Sequence, residues 1–94
     1  MPLLSEDEIA DRLSELEGWE RRGDAIVRSY KCNDFVGSVK LVDALTPVAE
    51  ELKHHPDLEI SWDTVTVSTT THSEGGLTEN DFELARKIDS LGGR

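Results

Sequence analysis

Apolar residues recur along this chain with two periods, and the points where the period changes divide it into elements. Ile9, Leu13 and Leu16 stand at helical spacing behind Ser5-Glu6-Asp7-Glu8. Ser5 reads as an N-cap, and Glu8, three residues on, as the acid that closes a capping box. Gly18 stops this short amphipathic helix. The period then drops to two: Ile26, Arg28, Tyr30 and Cys32 alternate with Val27, Ser29 and Lys31. Gly23-Asp24 joins residues 19–22 to this run as the turn of a β-hairpin. Helical spacing returns behind an Asn33-Asp34 cap, where Phe35, Val39, Val42, Leu45, Ala49 and Leu52 mark one face of a longer helix. Pro47 lies inside it. A proline there removes a backbone donor and costs about 3 kcal/mol, so the helix either kinks or restarts with Thr46 as N-cap and Pro47 as its first residue. Pro56 ends the helix, because the residue before a proline is pushed out of the α region. Residues 58–62 and 64–71 are rich in β-branched side chains around a tight turn at Asp63, a second hairpin. Gly75-Gly76 breaks the chain and leaves a mobile loop. Thr78 then caps a last helix with Phe82, Ala85 and Ile88 as its apolar stripe and Gly92-Gly93 as its stop.

This order predicts an α+β fold: a four-stranded antiparallel sheet with three helices on one face, order α-β-β-α-β-β-α. Residues 1–94 form a single domain, since a chain this short has no room for a second core. Such a small core is marginally stable. Strands at the sheet edges are available for pairing between subunits, a route to a homodimer or homotetramer.

Charge narrows the choice of partner. Twenty acidic and ten basic side chains leave a formal charge of −10. That field repels phosphate backbones and anionic bilayers, which argues against direct nucleic-acid or membrane binding. The acids are spread along the chain, as on a solvated surface; a halophilic source is the sharper alternative. Cys32 is the only cysteine, so no intrachain disulfide scaffold exists, and it reads as a small core or half-buried residue rather than a nucleophile. No stretch approaches the roughly 20 apolar residues of a membrane span. With no basic and apolar leader at its start, the chain is expected in the cytoplasm.

Chemistry concentrates at three histidines within nineteen positions: His54, His55 and His72. Imidazole is the natural proton carrier near neutral pH. His54 and His55 stand at the end of the second helix, where the helix dipole favours the imidazolium. Glu50 and Glu51 precede them by four residues each, at a spacing that lets each carboxylate orient its histidine. His72 closes the last strand. Plainer readings exist for each residue: a solvated helix cap for the His-His pair, the acid of a capping box for Asp81, a core or interface aromatic for Trp62. Zinc is the competing use of a histidine cluster with Asp81. Adjacent helical histidines point about 100° apart, and the usual i, i+4 histidine pair is absent, so no metal is expected.

The run Glu50-Glu51-Leu52-Lys53-His54-His55-Pro56, followed by Trp62, His72 and Asp81, resembles the signature of the pterin-4a-carbinolamine dehydratase (4a-hydroxytetrahydrobiopterin dehydratase) family. The likeness extends through Gly18-Trp19, Asp24-Ala25-Ile26, Asp34-Phe35, Ser68-Thr69-Thr70-Thr71-His72 and Gly76-Leu77-Thr78, from about residue 13 to residue 91. The resemblance implies an enzyme that removes water from 4a-hydroxytetrahydropterin to give quinonoid dihydropterin, with no metal or cofactor. It would serve tetrahydrobiopterin recycling beside an aromatic-amino-acid hydroxylase, as a dimer or tetramer. Carried over by resemblance, His54 and His72 would exchange protons at the 4a carbon, and His55 would bind the pterin and serve as base. Glu50 and Asp81 would orient the histidines. Thr70, Thr71 and Ser73 would line the pterin pocket, and Pro56 and Trp62 would also bind the substrate or support the residues that do. Two other readings share the fold: a non-catalytic binding or assembly protein, and a pterin dehydratase of molybdenum-cofactor metabolism. Pro47 and the strength of the acidic charge depart from the family pattern.

Overall fold

The computed structural model describes residues 2–91. Seven α-helices and β-strands follow in the expected order: α1 (Glu6–Leu13), β1 (Glu20–Arg22), β2 (Ala25–Lys31), α2 (Phe35–Leu52), β3 (Asp57–Ser61), β4 (Thr64–Thr69) and α3 (Glu79–Asp89). A short 3-10 turn, His72–Glu74, lies between β4 and α3. The strands form one antiparallel sheet in the order β1-β2-β4-β3. Its register places Ile26 opposite Thr69, Tyr30 opposite Val65, and Leu58 opposite Val67, so these residues share one face. Ile26, Tyr30, Val65 and Val67 join Ile9 of α1, Leu41 and Leu45 of α2, and Phe82, Ala85 and Ile88 of α3 in a single apolar cluster. All three helices therefore cover the same face of the sheet. No helix among the described residues is long and apolar enough to cross a membrane.

Local signals account for the helix starts. Ser5 and Glu8 make the reciprocal bonds of a capping box, Asp34 accepts the Gly37 N–H, and Thr78 with Asp81 forms a second box. The interiors and ends depart from the expectations in several places. Helix α1 stops at Leu13, and Leu16 is buried in the turn that follows rather than in the helix. Helix α2 runs unbroken through Pro47, and Thr46 is no N-cap: its hydroxyl donates back to the Val42 carbonyl at 2.7 Å. The buried face of α2 is Ser38, Leu41, Leu45 and Ala49, whereas Phe35 and Val39 are 55% and 38% exposed. The face is rotated because Ser38, a polar residue, is buried: its hydroxyl meets the carbonyls of Asp34 and Trp62, at 3.2 Å and 2.7 Å.

Helix α2 also ends before Pro56 can act. Lys53 adopts a left-handed conformation with φ 53°, and the backbone N–H groups of Lys53 and His54 close on the last carbonyls at Glu50 and Ala49. His54 and His55 thus leave the helix altogether. Strand β4 ends at Thr69, and His72 opens the 3-10 turn instead of closing a strand. Gly75-Gly76 is pinned rather than loose, since Gly76 exchanges both backbone hydrogen bonds with Thr71. Helix α3 ends at Asp89 with Ser90 as cap; the expected Gly92-Gly93 stop lies outside the described residues.

Candidate functional site

The site is built outward from Asp81, which sits in the first turn of α3 and is 0% exposed. A buried carboxylate is costly unless donors surround it. Here four do. Oδ1 accepts from His54 Nε2 at 2.6 Å and from the Thr69 hydroxyl at 2.7 Å. Oδ2 accepts from the Thr71 hydroxyl at 2.8 Å and from the Thr78 backbone N–H at 2.9 Å. Because Thr71 gives its proton to Asp81, the 2.8 Å contact between Thr71 and Thr78 requires the Thr78 hydroxyl to donate to Thr71. The amide donors at the start of α3 add their own field in favour of negative charge.

This arrangement sets the proton inventory of His54. With the carboxylate accepting, Nε2 carries the hydrogen, and Nδ1 is left to bind or release a proton. No buried side-chain nitrogen or oxygen among the described residues lacks a hydrogen-bond partner. Nδ1, which bonds to none of them, is therefore not fully sealed from solvent, although His54 as a whole is buried, its side chain 10% exposed. The backbone N–H of His54 is tied to the Ala49 carbonyl, so the ring is anchored from both sides.

His55 behaves differently. Its Nε2 lies 2.6 Å from Glu50 Oε2, with the two side chains 64% and 67% exposed. The helical spacing suggested Glu50 with His54 and Glu51 with His55. Instead the left-handed Lys53 turns the chain, so that Glu50 meets the residue five positions on. His72 is exposed and directly follows Thr71. The Asp81 carboxylate therefore links His54 to the residue that precedes His72, across the ends of α2, β4 and α3. Ser73 is exposed in the same 3-10 turn, and half-buried Pro56 leads from His55 into β3.

Two expected residues are not brought to this cluster. Thr70, on the opposite side of the chain from Thr69 and Thr71, donates to the Asp24 carbonyl of the β1–β2 turn. Trp62 is 68% exposed in the β3–β4 turn, with φ 52°. The five residues of β3 carry the chain about 16 Å from the Pro56 end to that turn. Thr69 was missed by the sequence reading. Its signal was a hydroxyl at the third inward position of β4, where Val65 and Val67 occupy the other two. Among the described residues, no three His, Cys, Asp or Glu side chains converge as metal ligands would. A shallow depression of about 420 Å³, lined by Arg22, Val27, Asp57, Leu58, Thr66 and Ser68 among others, contains none of the histidines.

Comparison with known proteins gives a consistent family. Residues 2–91 match the family model described as pterin 4 alpha carbinolamine dehydratase. A Nocardia farcinica protein with the provisional name pterin-4-alpha-carbinolamine dehydratase is 47% identical over 89 residues, covering 95% of this chain and 94% of its own length. The crystal structure of a transcriptional coactivator/pterin dehydratase from Brucella melitensis superimposes with a TM-score of 0.90 at 37% identity, over 94% of this chain and 96% of that one. A pterin dehydratase-like protein identified as a RuBisCO assembly factor shares the fold alone, at 18% identity and a TM-score of 0.65, covering 80% and 87%.

Proposed function

Because the chain belongs to the pterin 4 alpha carbinolamine dehydratase family, we propose that it dehydrates 4a-hydroxytetrahydropterin to quinonoid dihydropterin by proton transfer at its histidines. The reaction breaks the C4a–O bond, removes the N5 proton and forms the C4a=N5 double bond. Hydroxide is a poor leaving group, so an acid must protonate the departing oxygen and a base must accept the N5 proton. The observation that carries the reading is the buried His54–Asp81 pair, 2.6 Å apart. It leaves Nδ1 of His54 as the atom able to exchange a proton with bound pterin.

His54 and His72 are the proton donors and acceptors in this reading. His55, steadied by Glu50, binds the pterin and can serve as base. Asp81 orients His54. Thr71 and Ser73 lie beside His72 at the pterin edge, and Thr70 contributes through its backbone, its hydroxyl being engaged by Asp24. No substrate contact within one chain is assigned to Trp62. The reaction takes no cofactor and serves tetrahydrobiopterin recycling in the cytoplasm, alongside an aromatic-amino-acid hydroxylase. Copies associate as a homodimer or homotetramer, a reading supported by the edge strand β3, whose residues are all exposed.

A second reading is a binding or assembly role on the same fold. It is favoured by the exposed apolar start of α2, at Phe35, Val36 and Val39. Stopped-flow detection of quinonoid dihydropterin from freshly made 4a-hydroxytetrahydropterin separates the two. Acceleration by the wild type, lost in His54→Ala/His72→Ala, supports the dehydratase. No acceleration by either protein moves the assignment to the binding role.

A further inference from the structure

Thr69 occupies a position that packing alone would give to an apolar residue. It is the third inward side chain of β4 after Val65 and Val67, and it is 2% exposed. A valine has nearly the same shape without a hydroxyl to desolvate. The Thr69 hydroxyl donates to Asp81 Oδ1, the same oxygen that accepts from His54 Nε2.

We propose that Thr69 is a positioning residue for His54, acting through Asp81. Its hydroxyl takes one lone-pair direction of Oδ1 and thereby fixes how the carboxylate presents the other to the His54 ring, and how strongly it holds the Nε2 proton. The proposal rests on His54 being a working histidine of the dehydration. Thr71 and the Thr78 N–H engage the other oxygen, and they also serve the turn before His72 and the cap of α3. Thr69 serves neither, so changing it isolates the effect on His54.

The flanking elements bring further charged groups: Glu50 and Glu51 from α2, Lys53 and His55 from its end, Asp57 from β3, and His72 and Glu74 from the 3-10 turn. All of these are exposed. Asp81 is the ionisable side chain in hydrogen-bond contact with the His54 ring. Loss of the competing Thr69 donor leaves Oδ1 a stronger acceptor for His54, which favours the imidazolium.

The test compares wild type, Thr69→Val and Thr69→Ser. Each is labelled with 15N-histidine and titrated by NMR without substrate, then assayed by stopped flow across pH. In Thr69→Val the His54 midpoint moves up by about half to one pH unit, and the matching limb of the kcat profile moves with it. At neutral pH kcat falls by about 3- to 10-fold, with KM altered less than about two-fold. Thr69→Ser restores both. A folded Thr69→Val with an unmoved His54 midpoint overturns the proposal, whatever its melting temperature, because a merely structural hydroxyl changes stability alone. Should Thr69→Val not fold, the wild type still decides: neutral His54 must carry its proton on Nε2, and a proton found on Nδ1 overturns the proposal. A shifted midpoint in a protein that does not accelerate dehydration upholds the Thr69–Asp81–His54 coupling and overturns the dehydratase reading.

Discussion

Asp81→Asn inverts the polarity of the network while preserving its shape, and the consequence can be worked out donor by donor. The amide has one oxygen to accept and one nitrogen to donate. Of the four groups around Asp81, only the Thr78 backbone N–H cannot reverse its role. The amide oxygen therefore takes the Oδ2 position, and the NH2 group faces His54 Nε2 and Thr69 Oγ1. The Thr69 hydroxyl can rotate to accept. His54 can accept at Nε2 only by moving its hydrogen to Nδ1, the nitrogen not fully sealed from solvent. All four hydrogen bonds survive, but their charge assistance is lost, which costs about 1–3 kcal/mol of stability. The neutral ring now offers the substrate a donor where the base should be. General acid–base groups contribute about 10²- to 10⁴-fold; with His55 and His72 intact, a fall in kcat of about 10²-fold is expected. Urea unfolding measures the first number, stopped flow the second, and 15N chemical shifts of His54 report the tautomer. A folded variant whose His54 has moved its proton to Nδ1, yet which retains wild-type kcat, would refute the argument that Nδ1 does the chemistry.

Three further outcomes are expected. His54→Ala and His72→Ala each lower turnover by about 10²-fold or less, whereas His55→Ala mainly raises KM, its ring being exposed and hydrogen-bonded to Glu50; three single variants with unchanged kcat and KM would show the site to be misassigned. Burial, followed by a hydrogen bond to Asp89, pushes the Tyr30 hydroxyl far above the usual tyrosine range. A raised folded-state pKa means full stability below about pH 10 and progressive loss above it, by up to about 1.4 kcal/mol per pH unit; Tyr30→Phe flattens this alkaline slope in unfolding measured from pH 9 to 11, and an unchanged slope means that Tyr30 is not its source. A Cβ on Gly37 would lie 2.0 Å from the Cys32 carbonyl oxygen, so Gly37→Ala costs about 1–3 kcal/mol through forced backbone movement; a denaturant midpoint equal to wild type contradicts that clash.

The order of elements and the starts of the helices were determined by the sequence itself, because the forces that set them act over a few residues. Ser5 with Glu8, Asp34, and Thr78 with Asp81 each satisfy backbone donors one turn away, and the two-residue alternation of β2 and the β-branched content of β4 need no distant partner to be legible. The histidines could also be named in advance from the Glu50–Pro56 run with Trp62, His72 and Asp81. What they touch could not. Glu50 meets His55 rather than His54 because Lys53 turns left-handed under the closing bonds to Ala49 and Glu50, a conformation that helical spacing does not anticipate. Ser38 rotates the buried face of α2 because the Trp62 carbonyl, 24 residues away, arrives over it. Trp62 stands in the signature run, yet a whole strand separates it from the histidines. Asp81 holds His54 from 27 positions away and Thr69 from 12. Only when the ends of α2, β4 and α3 converge in a place closed to water does one carboxylate become the common acceptor of four donors, and the proton on His54 acquire a defined nitrogen.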